Sequence, residues 1–156
     1  MARFEEMLIE LGDELDTTLH ADEMRVCRIE INETIEVQLE MDSTDTFLII
    51  ACQVIELPPG KFREKAVLDI LRANDYLNKQ VGIFSYLPKI NMLVMHDKIL
   101  LASINSPTDF VEYLKRFSER AYLWRQSIKG GKTHPDDSLA EPTDDSPHSI
   151  EMGLKT

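Results

Sequence analysis

The sequence contains little cysteine, little glycine and little positive charge. Of its 156 residues, two are cysteine and six are glycine, and 28 acidic residues against 17 lysines and arginines give a formal net charge of −11. The two cysteines, Cys27 and Cys52, have neither CxxC nor metal-ligand spacing, so we expect buried free thiols and no disulfide framework. A chain this acidic repels phosphate backbones and anionic membrane surfaces, which argues against nucleic acid as a partner.

Long apolar runs are missing as well. No stretch approaches the roughly 20 apolar residues that a membrane-spanning helix requires, so we expect no insertion into a membrane. The N-terminal segment carries Glu5 and Glu6 where a signal peptide would have its apolar core, and Ala2 excludes N-myristoylation. These features predict a soluble protein of the cytoplasm.

Motifs of catalysis are absent too. Gly130 and Gly131 precede no predicted helix, no serine lies in a GxSxG motif, and the four histidines have no metal-ligand spacing. The many carboxylates fall mostly on predicted exposed faces, where solvated charge is the usual state. We therefore expect a binding protein and not an enzyme, with no catalytic residue, no metal and no cofactor.

Apolar periodicity predicts an α+β domain of three helices and a mainly antiparallel, twisted sheet of five to six strands. Steps of three and four between apolar residues predict helices over residues 3–15, 62–78 and 106–128. Alternating or continuous apolar runs predict strands over residues 27–31, 35–41, 47–55, 81–86 and 91–96, with residues 99–104 as an extension of the sheet. Short links join neighbouring strands, and the predicted order is αβββαβββα.

Two features of these elements require partners. The strand at residues 47–55 is apolar on both faces apart from Gln53, so it should lie in the middle of the sheet. If the helices cover one face, the other must curl around the core or meet another protein. Asn74 falls on the apolar stripe of the second helix, where a polar side chain needs a hydrogen-bond partner.

The composition changes at Lys129. The residues that follow are mostly glycine, proline, serine and aspartate, with very few apolar side chains. Such a segment buries too little surface to offset the entropy lost on ordering. We therefore predict a folded domain over residues 1–128 and a disordered acidic tail over residues 129–156.

The predicted order of elements resembles the class I chaperones of bacterial type III secretion, the CesT/SycE-type family. Segments that carry the resemblance are FEEMLIELGDEL, CRIEINETIEVQLEM, TFLIIACQVIELP, LRANDYL and FVEYLKRFSERAYLW. The resemblance covers about residues 3–126, so the tail is a departure from the family pattern. It implies a bacterial cytoplasmic homodimer that holds an extended N-terminal segment of one or more secreted effectors without using ATP. The ATPase of the secretion apparatus is a further partner that it suggests.

The resemblance also nominates residues for two surfaces. The dimer would form through the second helix and the strand after it, which nominates Ile70, Leu71, Asn74, Leu77, Ile83, Phe84 and Tyr86. The effector would bind grooves near the first helix and the first half of the sheet, which nominates Leu8, Leu11, Ile29, Val37, Leu39, Leu48 and Ile50. The competing interpretation for every one of these residues is packing in the core of its own chain.

Three other functions fit the same residue pattern. The main alternative is a non-enzymatic α+β regulatory or interaction module that binds a folded partner protein. An enzyme assembled from scattered carboxylates and a structural subunit of a larger assembly are the others. A compact polar cluster in a pocket would favour the enzyme, and a folded partner would favour the interaction module.

Overall fold

The computed structural model describes residues 3–32, 34–75, 81–136 and 138–139. Its helices are α1 (Arg3–Glu14), α2 (Lys61–Asp75) and α3 (Pro107–Lys129), and its strands are β1 (Val26–Ile31), β2 (Ile35–Met41), β3 (Phe47–Glu56), β4 (Ile83–Leu87) and β5 (Met92–Leu100). A short 3₁₀ helix at Leu101–Ser103 follows β5. Ser106 caps α3 by accepting a hydrogen bond from the Asp109 amide, and Pro107 occupies the first helical turn.

All neighbouring strands of the sheet are antiparallel, in the order β1-β2-β3-β5-β4. This confirms the α+β class, with β3 in the middle of the sheet as its apolar sequence predicted. The predicted extension at residues 99–104 is divided between two elements. Ile99 and Leu100 complete β5, and the chain then turns into the 3₁₀ helix, so the described residues form five strands.

The core lies between the sheet and the helices. α3 packs on β1, β2 and β3, α1 packs on α3, and α2 packs on β4. Alternation along β2 decides which side chains enter the core, because Ile35, Val37 and Leu39 are fully buried while Glu36 between them is exposed. On β3, Leu48 and Ile50 face the core in the same way.

A β-bulge near the end of β3 is held by one side chain of α3. The register of β3 on β5 shifts between Gln53 and Ile55. Arg125 donates hydrogen bonds to two main-chain oxygens there, at 2.6 Å to Val54 and 3.0 Å to Gln53, and one of 2.9 Å to the Thr34 carbonyl in the turn between β1 and β2. The guanidinium thereby fixes the end of α3 both to the bulge of β3 and to the turn between β1 and β2.

The folded part of the chain extends beyond the predicted boundary at residue 128. After α3 ends at Lys129, the chain folds back against α2, where the Thr133 hydroxyl donates a 2.6 Å hydrogen bond to the Asp69 carboxylate. Pro135 and Leu139 are buried. The predicted disordered tail is therefore corrected for the described residues 129–136 and 138–139, because a buried carboxylate on α2 supplies a partner that composition alone does not reveal. Residues 137 and 140–156 lie outside the described residues.

Candidate functional site

β1 forms one edge of the sheet of the described residues. The Arg25 carbonyl accepts a 3.2 Å hydrogen bond from the Met41 amide, which fixes the phase of the β1–β2 ladder. In an antiparallel ladder, alternate residues turn their N–H and C=O groups away from the neighbouring strand. On β1 these residues are Val26, Arg28 and Glu30.

Among the described residues, only the first of these three positions has hydrogen-bond partners, and both come from Asp22. The Asp22 amide donates a 2.9 Å hydrogen bond to the Val26 carbonyl, and the Asp22 carboxylate accepts a 3.0 Å hydrogen bond from the Val26 amide. The N–H and C=O groups of Arg28 and Glu30 have no hydrogen-bond partner among the described residues. This edge therefore offers two donors and two acceptors to an extended chain, in the spacing that an added strand requires.

A groove of about 440 Å³ runs beside this edge, between the loop after α1 and the start of α3. Leu15, Leu19, Ile29, Val111 and Leu114 give it apolar walls. Because side chains of a strand alternate, an extended chain paired with Arg28 and Glu30 would direct every second side chain towards such a groove.

A second groove of about 420 Å³ lies between α1 and the same loop. Leu8 lies in its lining, as does Ile9, a large apolar side chain that is 51% exposed. Thr17, Thr18 and Leu19 line both grooves, so the surface is continuous from α1 to the β1 edge. We call the two grooves and the β1 edge together the edge surface.

Gly12 allows the loop to reach this position. A Cβ atom at residue 12 would lie 2.6 Å from the Thr17 carbonyl oxygen, which is closer than side-chain atoms approach main-chain oxygens. The Thr17 amide also donates a 2.9 Å hydrogen bond to the Gly12 carbonyl. Gly12 is therefore required for this close approach of the loop to the helix.

We expect Gly12→Ala to lower the free energy of unfolding by about 1–3 kcal/mol, because the methyl group collides with main chain that cannot move aside alone. Chemical denaturation measures the effect. Gly130→Ala is the matched control, since its added methyl would meet main-chain oxygens only at 3.4 Å and beyond. Equal stability losses in the two variants would contradict this role of Gly12.

A second surface is formed by α2 and β4, which pack on each other. It carries four large exposed apolar side chains: Leu68 at 61%, Leu71 at 57%, Ile83 at 51% and Leu87 at 42% exposed. Single exposed apolar residues are ordinary, but four on two contacting elements indicate an interaction surface. We call these four residues the α2–β4 patch.

The nominated dimer residues divide into exposed and buried ones. Leu71 and Ile83 lie in the α2–β4 patch, and Tyr86 is half-buried. Ile70 and Phe84 are buried in the core of the chain, so their nomination for direct contact is corrected. The Asn74 side chain forms hydrogen bonds with the main chain of Phe84, and Leu77 lies outside the described residues.

All seven nominated effector-binding residues are buried in the core: Leu8, Leu11, Ile29, Val37, Leu39, Leu48 and Ile50. They lie on the faces of α1, β1, β2 and β3 that pack inward, because apolar periodicity marks the face that a chain buries in itself. Only Leu8 and Ile29 reach the linings of the two grooves. The remaining five are corrected from groove residues to core residues.

Sequence reasoning nominated Leu71 and Ile83 of the α2–β4 patch but missed the other accessible apolar residues of both surfaces. The missed residues are Ile9, Leu68 and Leu87, and an apolar residue on an otherwise exposed face was the signal that could have identified them. The unpaired main chain of Arg28 and Glu30 had no signal, because both side chains are charged and typical of an exposed strand face.

Neither cysteine is positioned as a nucleophile. Cys27 and Cys52 are buried free thiols, as predicted. Burial raises the pKa of Cys52 to about 12 and also raises the pKa of Cys27, so both stay protonated at neutral pH. The described residues contain no group of histidine, cysteine or carboxylate side chains that could hold a metal ion. Within the same residues, no helix combines the length and apolarity that crossing a membrane requires.

Comparison with known proteins places this fold in a family. The sequence matches the model of the Tir chaperone protein (CesT) family over residues 6–125. The chain belongs to this family. It is thus a member of the type III secretion chaperones, as the resemblance in its sequence predicted. No curated protein sequence matches the chain.

Solved structures of three protein complexes contain a chain with a fold similar to that of this protein. In the complex of Yersinia pestis SycH with a stable fragment of YscM2, the matching chain is 18% identical with a TM-score of 0.61, covering 76% of this chain and 96% of that one. A chain of the HopA1–SchA chaperone–effector complex is 17% identical with a TM-score of 0.63 and coverages of 79% and 94%. A chain of the ExsC–ExsE complex is 18% identical with a TM-score of 0.60 and coverages of 80% and 92%.

Proposed function

We propose that this protein is an ATP-independent, non-enzymatic secretion chaperone of the bacterial cytoplasm. It binds a segment near the N-terminus of one or more secreted effectors in extended form, and keeps that segment soluble and competent for export. The observation that carries this proposal is the main chain of Arg28 and Glu30 at the β1 edge, which has no hydrogen-bond partner among the described residues, with a partly apolar groove beside it. Membership of the CesT family and the chaperone–effector complexes among the structural relatives support it.

The edge surface suits an unfolded client better than a folded one. Main-chain hydrogen bonds at a sheet edge provide affinity for any extended segment, while grooves select alternate apolar side chains. A disordered client loses conformational entropy when it binds, which limits its net affinity and favours later release without ATP. The net charge of −11 keeps a protein with exposed apolar surfaces soluble.

Client binding should slow hydrogen exchange at two specific amides. We expect the Arg28 and Glu30 amides to exchange rapidly in the free protein and at least about tenfold more slowly with a client, because each gains a hydrogen bond. Exchange measured by NMR with and without a co-purified effector tests this. The amide of Cys27, which already faces β2 in the ladder, is the internal control. A client that binds without protecting Arg28 and Glu30 would contradict strand addition at this edge and favour a folded partner.

We further propose that two copies associate through the α2–β4 patch. A twofold interface places the same residues of both copies against each other, and four exposed apolar side chains fit such a self-complementary contact. The exposed faces of α2 and β4 lie away from the β1 edge, because β1 and β4 are at opposite ends of the strand order. Dimer formation and client binding would therefore use separate parts of the protein.

Leu71→Glu should convert the dimer to a monomer, because it places a carboxylate in an apolar contact on both copies at once. Light scattering should give twice the chain mass of 17.9 kDa for the native protein and 17.9 kDa for the variant. Leu123→Glu on α3 is the matched control, since Leu123 is similarly exposed at 54% but lies outside the patch. A native protein of monomer mass, or two variants with equal masses, would contradict this interface.

A further inference from the structure

β4 is the second edge strand of the sheet, and its edge differs from that of β1. The ladder with β5 pairs Phe84 with Met95 and turns the main-chain groups of Phe84 away from β5, towards α2. There the Asn74 side chain donates a 2.7 Å hydrogen bond to the Phe84 carbonyl and accepts a 2.8 Å hydrogen bond from the Phe84 amide. A single side-chain amide thus occupies the place of a peptide group from a neighbouring strand.

Main-chain groups just before Phe84 also have hydrogen-bond partners. Arg120 of α3 donates hydrogen bonds of 2.8 Å to the Val81 carbonyl and 2.6 Å to the Gly82 carbonyl. The Gly82 amide donates a 2.9 Å hydrogen bond to the Asp97 carboxylate. Side chains from α2, α3 and β5 therefore satisfy the main chain where β4 begins, and an added strand would find no two consecutive free positions there.

Asparagine is the side chain that fits this position. Its amide group carries a donor and an acceptor side by side, as a peptide group does, whereas aspartate could only accept and leucine could do neither. Both bonds to Phe84 are within the ordinary hydrogen-bond range, so no water is needed between them. The polar residue on the apolar stripe of α2 has thereby found the partner it requires.

We propose that Asn74 is a specificity-determining residue that closes the β4 edge to strand addition, so that an extended chain adds at β1 alone. This inference rests on the proposed function, in which the β1 edge takes an extended client. An open edge at β4 would offer a second pairing site, both to clients and to other copies of the chaperone. With Asn74 in place, two copies can meet through the side chains of the α2–β4 patch without forming a continuous sheet.

Asn74→Ala tests this proposal, with Tyr86→Phe as the matched control. The control removes a 2.7 Å hydrogen bond from the Tyr86 hydroxyl to Asn91 on the same hairpin, but frees no main-chain group at the edge. We expect the Phe84 amide to exchange at least about tenfold faster in Asn74→Ala than in Tyr86→Phe. In light scattering, Asn74→Ala should form larger assemblies than the native protein, and Tyr86→Phe should not. Unchanged exchange and unchanged mass in Asn74→Ala would overturn the proposal. Asn74→Asp, which retains only the acceptor, should still protect the Phe84 amide but leaves the Phe84 carbonyl without its donor.

A strand probe separates this proposal from the proposed function. The probe is a synthetic peptide with the β2 sequence IEVQLEM, which alternates apolar and polar residues. We expect it to slow exchange at Arg28 and Glu30 in both proteins, and at Phe84 in Asn74→Ala only. Protection confined to β1 in both proteins would overturn the role of Asn74. No protection at β1 in either protein would count against the proposed function, and the mass of Asn74→Ala without peptide would then decide the role of Asn74.

Discussion

Removing residues 132–156 should lower the free energy of unfolding by about 2–4 kcal/mol more than removing only residues 140–156. The difference comes from the segment that folds back on α2. Leu139 is 8% exposed, so its loss removes buried apolar surface from the core. Thr133 is also lost, and with it the 2.6 Å hydrogen bond to Asp69. Urea denaturation of the full chain and of the chains ending at Gly131 and at Leu139 measures both effects.

Asp69 explains why this segment is ordered. Its side chain is only 3% exposed, although it carries a charge in the middle of α2. Lys65 donates to the same carboxylate at 2.8 Å, and Arg72 lies 3.5 Å from its other oxygen. A buried carboxylate needs its hydrogen-bonding positions filled, and Thr133 fills one that the helix cannot.

A point substitution separates this hydrogen bond from the rest of the segment. Thr133→Val keeps the volume and removes the hydroxyl that meets the buried carboxylate. Thr108→Val is the control, because the Thr108 hydroxyl also donates to a carboxylate, that of Glu14 at 3.1 Å, but on an exposed surface. Thr133→Val should cost about 1–3 kcal/mol and Thr108→Val much less. Similar losses in both variants, or full stability in the chain ending at Gly131, would show that the segment does not support α2.

Acid should reduce the contribution of this contact. Burial alone would raise the pKa of Asp69, but hydrogen bonds from Lys65 and Thr133 and the charge of Lys65 hold that pKa below its ordinary value. A carboxyl group whose pKa is lower in the folded state stabilises the fold above its unfolded pKa of about 4, and this stabilisation is lost as the pH falls below that value. The stability difference between the full chain and the chain ending at Gly131 should therefore shrink in acid.

The fold could be predicted from the sequence because each element carries its own local signal. The alternation of Ile35, Val37 and Leu39 with charged and polar residues defines a strand with one buried face, and the structure buries that face. Ser106 and Pro107 define the start of α3 in the same local way. Family resemblance needed only this order of elements, so it could be recognised before any contact was known.

The binding surfaces could not be predicted in the same way, because they depend on which strands end up at the edges. β5 lies between β3 and β4 in the sheet, so sequence order does not reveal that β4 is an edge strand. Apolar residues were nominated as binding residues, but the most strongly periodic ones fill the core. The edge surface instead uses main-chain groups of Arg28 and Glu30, which are the same in every residue type.

The ordered C-terminal segment had one overlooked signal. Asp69 lies between Ala66, Ile70 and Ala73, all of which are buried, so its position on the inner side of α2 could be read from helical periodicity. A charge at that position requires partners from elsewhere in the chain. The segment after α3 had the polar residues to supply them, and its low apolar content concealed this.

Asp97→Ala should be the most destabilising single substitution considered, at about 3 kcal/mol or more. Asp97 lies on β5 and its carboxylate joins three elements. It accepts a 2.9 Å hydrogen bond from the Gly82 amide before β4 and a hydrogen bond from the Tyr113 hydroxyl on α3. Alanine would leave both donors without a partner in a partly buried site, which costs more than the bonds themselves contributed.

The positive charge of Arg120 increases this dependence. Burial lowers the pKa of Arg120 and the nearby charge of Asp97 opposes that shift, so the carboxylate helps to keep the guanidinium charged. Arg120 donates to the Val81 and Gly82 carbonyls and lies 4.6 Å from the centre of the Phe84 ring. Loss of Asp97 should therefore loosen the start of β4 as well as α3, and with it one side of the α2–β4 patch.

A double-mutant cycle tests whether Asp97 and Tyr113 act as a pair. Tyr113→Phe alone should cost about 1–2 kcal/mol, and the double variant should lose less than the sum of the two single variants, because one hydrogen bond cannot be removed twice. Additive losses in urea denaturation would contradict the pairing. Burial, together with the hydrogen bond to Asp97, also raises the pKa of Tyr113 above its ordinary value. The folded state therefore retains this proton when the unfolded state has lost it, and the native protein should lose stability above about pH 10, an effect that Tyr113→Phe should reduce.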